Sequence, residues 1–168
     1  MSTDRPVPLV VMGVSGSGKT TVGEELAARL GVPSADADAF HPQANVDKMS
    51  SGEALDDDDR QPWLEAIGDW LHEHADTGCV VGCSALKRSY RDLLRDREPR
   101  TEFLHLHGSR EVIAARQSAR KDHFMPASLL QSQFDILEPL EDDEAGMVVD
   151  VDQDVAAITE EYLARRAT

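Results

Sequence analysis

The sequence predicts an α/β fold with three layers, in which a five-stranded parallel sheet lies between two layers of helices. Short apolar segments alternate with amphipathic helical patterns about five times along the 168 residues. The apolar segments are continuous rather than alternating, which is typical of parallel strands that are buried on both faces. The length fits one domain over residues 1–168, and no repeat or low-complexity linker divides it.

The first half of the chain begins with an apolar strand at residues 9–12 and a helical pattern that ends at Gly31. We expect a short strand near residues 32–35. Residues 41–59 are polar, and the sequence predicts a mostly irregular stretch there with a short helix around 46–50. A longer helix is expected to have Pro62 near its start, and its apolar side chains recur with helical spacing at Trp63, Ile67, Trp70 and Leu71.

The second half continues the alternation with an apolar strand at residues 79–83 and a predicted helix at 84–97. The remaining strands are expected at residues 103–107 and 147–151. Ser109 and Asp154 are residues of the type that caps a helix, and each precedes an amphipathic pattern. Another helical pattern runs through Leu129, Leu130, Phe134 and Leu137.

Composition excludes several classes of partner. A formal net charge of −15 argues against binding to nucleic acid or to an anionic membrane surface. The chain has no apolar run long enough to span a bilayer, and its first residues lack the layout of a signal peptide, so we expect a cytoplasmic protein. Cys79 and Cys83 would be about 13 Å apart in a strand, which predicts reduced thiols rather than a disulfide.

The motif G-x-x-x-x-G-K-[ST] occupies residues 13–20, between the first strand and the first helix. Its glycines let backbone N–H groups curl around phosphates, and the helix N-terminus adds partial positive charge. Lys19 can reach the β- and γ-phosphates, and the Thr20 hydroxyl can ligate Mg²⁺. The motif predicts a P-loop NTPase fold that binds a nucleoside triphosphate through Gly13, Val14, Ser15, Gly16, Ser17, Gly18, Lys19, Thr20 and the adjacent Thr21.

Two carboxylates are the best candidates to complete this site. The strand at residues 79–83 lacks the acidic residue that usually helps to hold Mg²⁺, whereas Asp36 and Asp38 follow the second strand. In extended geometry residues two apart face the same side, so both could point into one cleft. One could support Mg²⁺ while the other accepts a proton from a substrate hydroxyl. The alternative is an acidic turn that only caps the strand.

Cations supply the remaining candidates. Arg60 follows four aspartates and could either pair with them or bind a substrate carboxylate. One predicted helix carries Lys87, Arg88, Arg91 and Arg95, and we expect most of this row to be solvated, with only Lys87 near the cleft. A cluster of Arg116, Arg120, Lys121 and His123 precedes a loop, as in a lid that closes cations over phosphates.

Longer strings resemble those of bacterial gluconokinases, over residues 10–152. They include Asp-Ala-Asp-Ala-Phe-His-Pro at 36–42, Asp-Arg-Gln-Pro-Trp at 59–63 and Cys-Ser-Ala-Leu-Lys at 83–87. Residues 45–52, the lid at 116–126 and residues 129–134 complete the pattern. The resemblance implies ATP-dependent phosphorylation of D-gluconate to 6-phospho-D-gluconate, with Mg²⁺ as the cofactor. It also implies the fold of shikimate and nucleoside monophosphate kinases, a substrate-binding segment at about 41–75, a lid region at about 116–139 and a homodimer.

The same resemblance implies a role for each matching residue. Asp38 would be the base or orienter for the C6 hydroxyl, and Asp36 would lie near Mg²⁺ with Thr20. Arg60 would face the gluconate carboxylate. Arg116 would lie along the adenine, and Arg120 would act with Lys19 on the transferring phosphate. Further substrate contacts would come from His41, Lys48, Lys87 and His123.

Two departures from the family pattern and two alternative functions accompany this interpretation. Ala37 and Asp122 stand where glycine is expected, and the methyl group of Ala37 is tolerable unless its φ is positive. Another small-molecule kinase, such as a shikimate kinase, is the runner-up, although the glycine triplet of that family is replaced by residues 82–85. A nucleotide-binding switch without an acceptor would leave the aspartate pair and the cationic lid without a purpose.

Overall fold

The computed structural model describes residues 7–14, 16–118 and 127–166. Within these ranges the strands are β1 Pro8–Met12, β2 Ser34–Asp36, β3 Cys79–Gly82, β4 Glu102–His107 and β5 Gly146–Asp150. The helices are α1 Lys19–Leu30, α2 Gln43–Ser50, α3 Asp57–Glu73, α4 Arg88–Arg97, α5 Arg110–Ser118, α6 Ala127–Ile136 and α7 Val155–Arg166. No described helix has the length and apolar character needed to cross a membrane.

All five strands pair in parallel in the order β2-β3-β1-β4-β5, which confirms the predicted sheet. Side chains alternate across it, so each face has its own core. Leu9 and Val11 of β1 pack in a core that includes residues of α1, α5, α6 and α7. Val10 and Met12 pack in the other, with residues of α3 and α4. The three layers follow from burial of both faces of the sheet.

The carboxyl ends of β1, β2 and β3 meet at one edge of the sheet. Val11 of β1 and Asp36 of β2 both pair in register with Gly82 of β3. The glycine-rich loop after β1 therefore lies beside the first residues after β2 and β3. In parallel sheets this edge is where ligands bind.

The predicted helix at residues 84–97 is wrong in its first turn, because α4 begins at Arg88. Lys87 is extended, with φ of −101° and ψ of 145°. Ala85 has φ of +44° and is the only non-glycine residue in the described ranges with a positive value. A residue in this left-handed conformation cannot belong to a right-handed helix.

The stretch at residues 41–59 contains more helix than the sequence predicted. Residues 43–50 form α2, and α3 begins at Asp57, so Pro62 lies in its second turn. Asp56 caps α3 and Asp59 completes a capping box, with each side chain accepting the other residue's backbone N–H. The run of aspartates therefore starts the helix earlier than its apolar pattern indicated.

Candidate active site

The glycine-rich loop has the backbone geometry that its motif requires. Gly13, Gly16 and Gly18 have φ of +153°, +83° and +94°. A Cβ at Gly13 would lie 2.8 Å from Ser17 Oγ, so the loop closes too tightly for a side chain there. Lys19 Nζ donates to the Val14 carbonyl at 3.1 Å, which holds the ammonium against the loop. The loop thus forms a cradle for phosphate at the start of α1.

Asp36 lies against this loop and joins it to the following segment. The Thr20 hydroxyl donates to Asp36 Oδ2 at 3.3 Å, and the Asp38 backbone N–H donates to Asp36 Oδ1 at 2.9 Å. Asp36 is therefore the N-cap of a 3-10 helix at Ala37–Phe40. The expectation that extended geometry aligns Asp36 and Asp38 is wrong, because the chain turns helical between them. Ala37 has no positive φ, so the structure accommodates its methyl group.

A cavity of about 380 Å³ nevertheless has both carboxylates in its wall. The cavity opens between the phosphate loop, the 3-10 helix and the end of β3. Its other contributors are Gly16, Gly18, Lys19, Thr20, Thr21, Ala37, Trp63, Gly82, Cys83, Ser84 and Gln133. Burial raises the pKa of the Cys83 thiol to about 12, so this cysteine is neutral at physiological pH. Phosphate-binding and acidic groups thus share one cavity.

Four polar side chains form a cluster between α3 and α4, which we call the cation cluster: Asp57, Arg60, Lys87 and Tyr90. Tyr90 Oη donates to Asp57 Oδ1 at 2.7 Å and accepts from Arg60 Nη1 at 3.2 Å. Lys87 Nζ lies 3.5 Å from the same Asp57 oxygen. Two of the predicted substrate-binding cations therefore come together around a phenol that the sequence analysis had not singled out.

His41 and Lys48 lie on the α2 side of α3. The His41 ring stacks on Trp63 with centroids 4.5 Å apart, and burial lowers the pKa of His41 below 6.5. Asn45 Nδ2 contacts His41 Nδ1 at 3.3 Å while donating to the Asp59 carbonyl. Lys48 Nζ donates to Asp59 Oδ2 at 2.6 Å. Lys48 is therefore engaged with the α3 capping box.

Arg116 lies beside the phosphate loop. Its Nη1 atom would be 3.6 Å from a Cβ built on Gly18. Its Nη2 atom donates to the carbonyls of Val151 and, at 2.6 Å, of Gln153. These bonds anchor the guanidinium next to the phosphate cradle. The predicted site residues Ser15, Arg120 and His123, together with the lid residues Lys121 and Asp122, lie outside the described ranges.

Arg91 belongs to a buried network rather than to a solvated row, so that expectation was wrong. Its Nε and Nη2 atoms donate to the two carboxylate oxygens of Glu144 at 2.7 and 3.1 Å. Nη1 reaches the carbonyls of Ala85 at 2.9 Å and Leu86 at 3.4 Å, and Nη2 also reaches that of Pro139 at 3.3 Å. The network holds the turn between β3 and α4, which ends at Lys87.

Sequence reasoning missed Tyr90 and Trp63 because both occupy apolar helix positions. Trp63 Nε1 donates to the Ala37 carbonyl at 2.7 Å and so ties the 3-10 helix to α3. The Tyr90 ring is mostly buried, but its hydroxyl reaches the cation cluster. A buried aromatic residue that carries a polar atom generally finds a partner, and this was the available signal.

Thr20 and Asp36 provide oxygen atoms, which are the ligands that Mg²⁺ prefers. Within the described residues no three His, Cys, Asp or Glu side chains converge on a potential metal position. That arrangement suits Mg²⁺, which usually keeps several waters and binds one or two protein groups together with substrate phosphates. The donor set therefore fits a metal carried by a nucleotide.

Comparisons with known proteins agree with this geometry. The shikimate kinase family model matches residues 15–166. A gluconokinase of Gluconobacter oxydans strain 621H is 50% identical over 161 residues, covering 95% of this chain and 90% of that protein. The thermosensitive gluconokinase of Escherichia coli K12 is 47% identical over 156 residues, covering 90% and 83%.

A solved structure extends the likeness to three dimensions. The crystal structure of a gluconokinase from Sinorhizobium meliloti 1021 superposes with a TM-score of 0.88 at 50% identity, covering 97% of this chain and 94% of that one. The match to the shikimate kinase model identifies the wider family of kinases, and the relatives identify the branch. This chain belongs to the gluconokinase family, a branch of the P-loop kinases that the shikimate kinase model describes.

Proposed function

We propose that this enzyme transfers the γ-phosphoryl group of ATP to the C6 hydroxyl of D-gluconate. The observation that carries the proposal is one cavity whose wall contains the phosphate loop together with Asp36 and Asp38. Trp63 also lines this cavity, and Arg60 of the cation cluster lies three residues before Trp63 in α3. Gluconate offers a hydroxyl for a carboxylate base at one end and a carboxylate for cations at the other. The names of the relatives support the same substrate.

In the proposed reaction Lys19 and the N–H groups of the loop bind the phosphates and stabilise the charge that develops on them. Thr20 and Asp36 would hold Mg²⁺, which neutralises phosphate charge when it is bound. Asp38 would accept the C6 hydroxyl proton as the oxygen attacks phosphorus. Arg120 of the lid would cover the transferring phosphate.

Substrate placement in this proposal depends on residues of α2, α3 and α4. Arg60 and Lys87 would bind the carboxylate, because their charges already meet beside Tyr90. His41 and Lys48, with His123 of the lid, would contact the hydroxyls of the sugar acid. The homodimer that the resemblance implies and the cytoplasmic location expected from the sequence stay predictions.

The direct test is ADP release, coupled to NADH oxidation, with a panel of acceptors at saturating ATP and Mg²⁺. We expect turnover with D-gluconate and little with shikimate or without an acceptor. Shikimate belongs in the panel because the matching family model carries its name. Turnover on shikimate without turnover on gluconate would overturn the proposal, as would ADP release that no acceptor stimulates.

Replacing Asp38 tests the chemistry of the step. Asp38→Asn should lower kcat about 100-fold or more, because a general base contributes on that order. The Kd for ATP should stay nearly unchanged, since the phosphate loop is intact. Asp58→Asn, at an exposed aspartate of α3, is the charge-matched control and should retain activity. A near-normal kcat for Asp38→Asn would show that Asp38 is not the base.

A further inference from the structure

Three hydrogen-bond donors converge on one carboxylate oxygen in the cation cluster. Asp57 Oδ1 accepts from Tyr90 Oη at 2.7 Å, and it lies 3.5 Å from Lys87 Nζ and 3.6 Å from Arg60 Nη1. A phenol, an ammonium and a guanidinium together form a receptor for a carboxylate. In this structure a carboxylate of the protein itself occupies that receptor.

Tyr90 sets the geometry of the donors. The Arg60 guanidinium carbon and Lys87 Nζ lie 5.7 and 5.5 Å from the centroid of its ring, within reach of cation–π attraction. The ring is 8% exposed and therefore fixed in the core. Both cations thus keep their places whether or not Asp57 contacts them.

The charge states favour this arrangement at neutral pH. The hydrogen bond from Tyr90, with Lys87 and Arg60 adding to it, holds the pKa of Asp57 below its usual value. Burial and the bond to Asp57 raise the pKa of Tyr90. Asp57 is therefore ionised and Tyr90 protonated throughout the range in which an enzyme assay is run.

Asp57 is not part of the capping box that starts α3. Its side chain is 64% exposed, and Asp56 and Asp59 supply the capping box of α3 without it. Ion pairs of exposed groups contribute little to stability because water screens them. A carboxylate held this loosely can leave its donors when another carboxylate arrives.

We propose that Asp57 is an internal competitor for the carboxylate of the substrate. It neutralises Arg60 and Lys87 in the free enzyme and yields them to a sugar acid on binding. The inference rests on the proposed function, because it assumes that these cations bind the acid end of gluconate. Its consequence is that Asp57 weakens the binding of carboxylate substrates and of phosphorylated carboxylate products, and thereby promotes product release.

The test compares Asp57→Asn with Asp58→Asn. The first removes the competing charge at nearly constant shape, and we expect the KM for gluconate to fall about three- to tenfold, the size of a partly screened charge contact. The second removes the same charge from the same helical turn without removing any of the three contacts, and its KM should match that of the wild type. Inhibition by the neutral polyol glucitol should be equal in all three proteins.

Each remaining outcome contradicts the inference. A raised or unchanged KM in Asp57→Asn would mean that Asp57 positions the cations or is irrelevant to them. Equal falls in both variants would indicate a long-range charge effect, and tighter glucitol inhibition in Asp57→Asn would indicate a reshaped site. Failure of the wild type to use gluconate would refute the proposed function instead, so the two failures are distinguishable.

Discussion

Two carboxylates, Glu144 and Asp57, contact cations in α4 or in the turn before it. Their environments are opposite. The side chain of Glu144 is fully buried and accepts two hydrogen bonds from the fully buried Arg91. Asp57 is largely exposed, and it accepts a strong hydrogen bond only from the neutral Tyr90. The turn before α4 and α4 itself thus contribute both to a buried ion pair, Arg91–Glu144, which we call the closed pair, and to the partly exposed cation cluster.

The difference shows how burial decides what an arginine does. Every N–H group of Arg91 has an acceptor, namely Glu144 and the carbonyls of residues 85, 86 and 139, so the network leaves nothing for a ligand. Arg60 makes one contact with Tyr90 at 3.2 Å and a longer one with Asp57. The closed pair fixes the turn before α4, whereas the cations of the cation cluster can exchange Asp57 for a ligand.

The largest expected effect comes from breaking the closed pair. Glu144→Ala leaves the Arg91 charge buried without its partner, which should lower the free energy of unfolding by about 3–5 kcal/mol. Urea denaturation measures the loss. Glu141→Ala removes an exposed partner of Arg88 and should have a much smaller effect. Equal losses in the two variants would contradict the distinction between closed and open carboxylates.

Low pH should remove much of the difference in the free energy of unfolding between the wild type and Glu144→Gln. Burial alone would raise the pKa of Glu144, but Arg91 and Arg95 outweigh it and hold this pKa below its usual 4.5. The ionised form therefore stabilises the fold above pH 4.5, and the contribution is lost as pH falls through the lowered value. The free energies of unfolding of the two proteins, measured between pH 3 and 7, should approach each other as the pH falls. A constant gap would mean that ionisation of Glu144 contributes nothing.

The sequence predicted the features that depend on local pattern. Alternating apolar segments indicated the sheet and its layers, and the residues at 13–20 indicated the phosphate loop. It could not predict the buried network of Arg91 and Glu144 or the cation cluster, because their members are far apart in the chain. Arg91 and Glu144 are 53 residues apart, and Tyr90 and Asp57 are 33 apart. A charged helix residue next to other charges resembles a solvated one until its distant partner is known.

The aspartates after β2 show a further limit of local reasoning. Asp36 and Asp38 both border the cavity, as expected, although the extended geometry behind that expectation was wrong. A 3-10 helix begins between them, and the bond from Trp63 to the Ala37 carbonyl, across 26 residues, ties it to α3. Both carboxylates were thus predicted at the right place from the wrong backbone conformation. A short helical turn and an extended strand can each direct two side chains to the same cavity.

The smallest expected effect concerns the turn that the closed pair holds. Ala85 lies in the left-handed region with φ of +44°, where a Cβ is unfavourable by about 1–2 kcal/mol. Ala85→Gly removes that strain but loses a buried methyl group and frees the unfolded chain, so stability should change by less than about 1 kcal/mol. Ala75→Gly is the matched control, since Ala75 is equally buried without a positive φ and has no strain to relieve.

The KM of Ala85→Gly for gluconate tests whether the buried ion pair or the Ala85 side chain positions the cation cluster. Arg91 holds the carbonyls of Ala85 and Leu86 independently of the side chain at position 85, so Lys87 should keep its position in Ala85→Gly. The KM for gluconate should then change less than about twofold, which corresponds to about 0.4 kcal/mol of binding free energy. A large rise in KM with unchanged stability would mean that the methyl group of Ala85, rather than the buried ion pair, fixes the cation cluster.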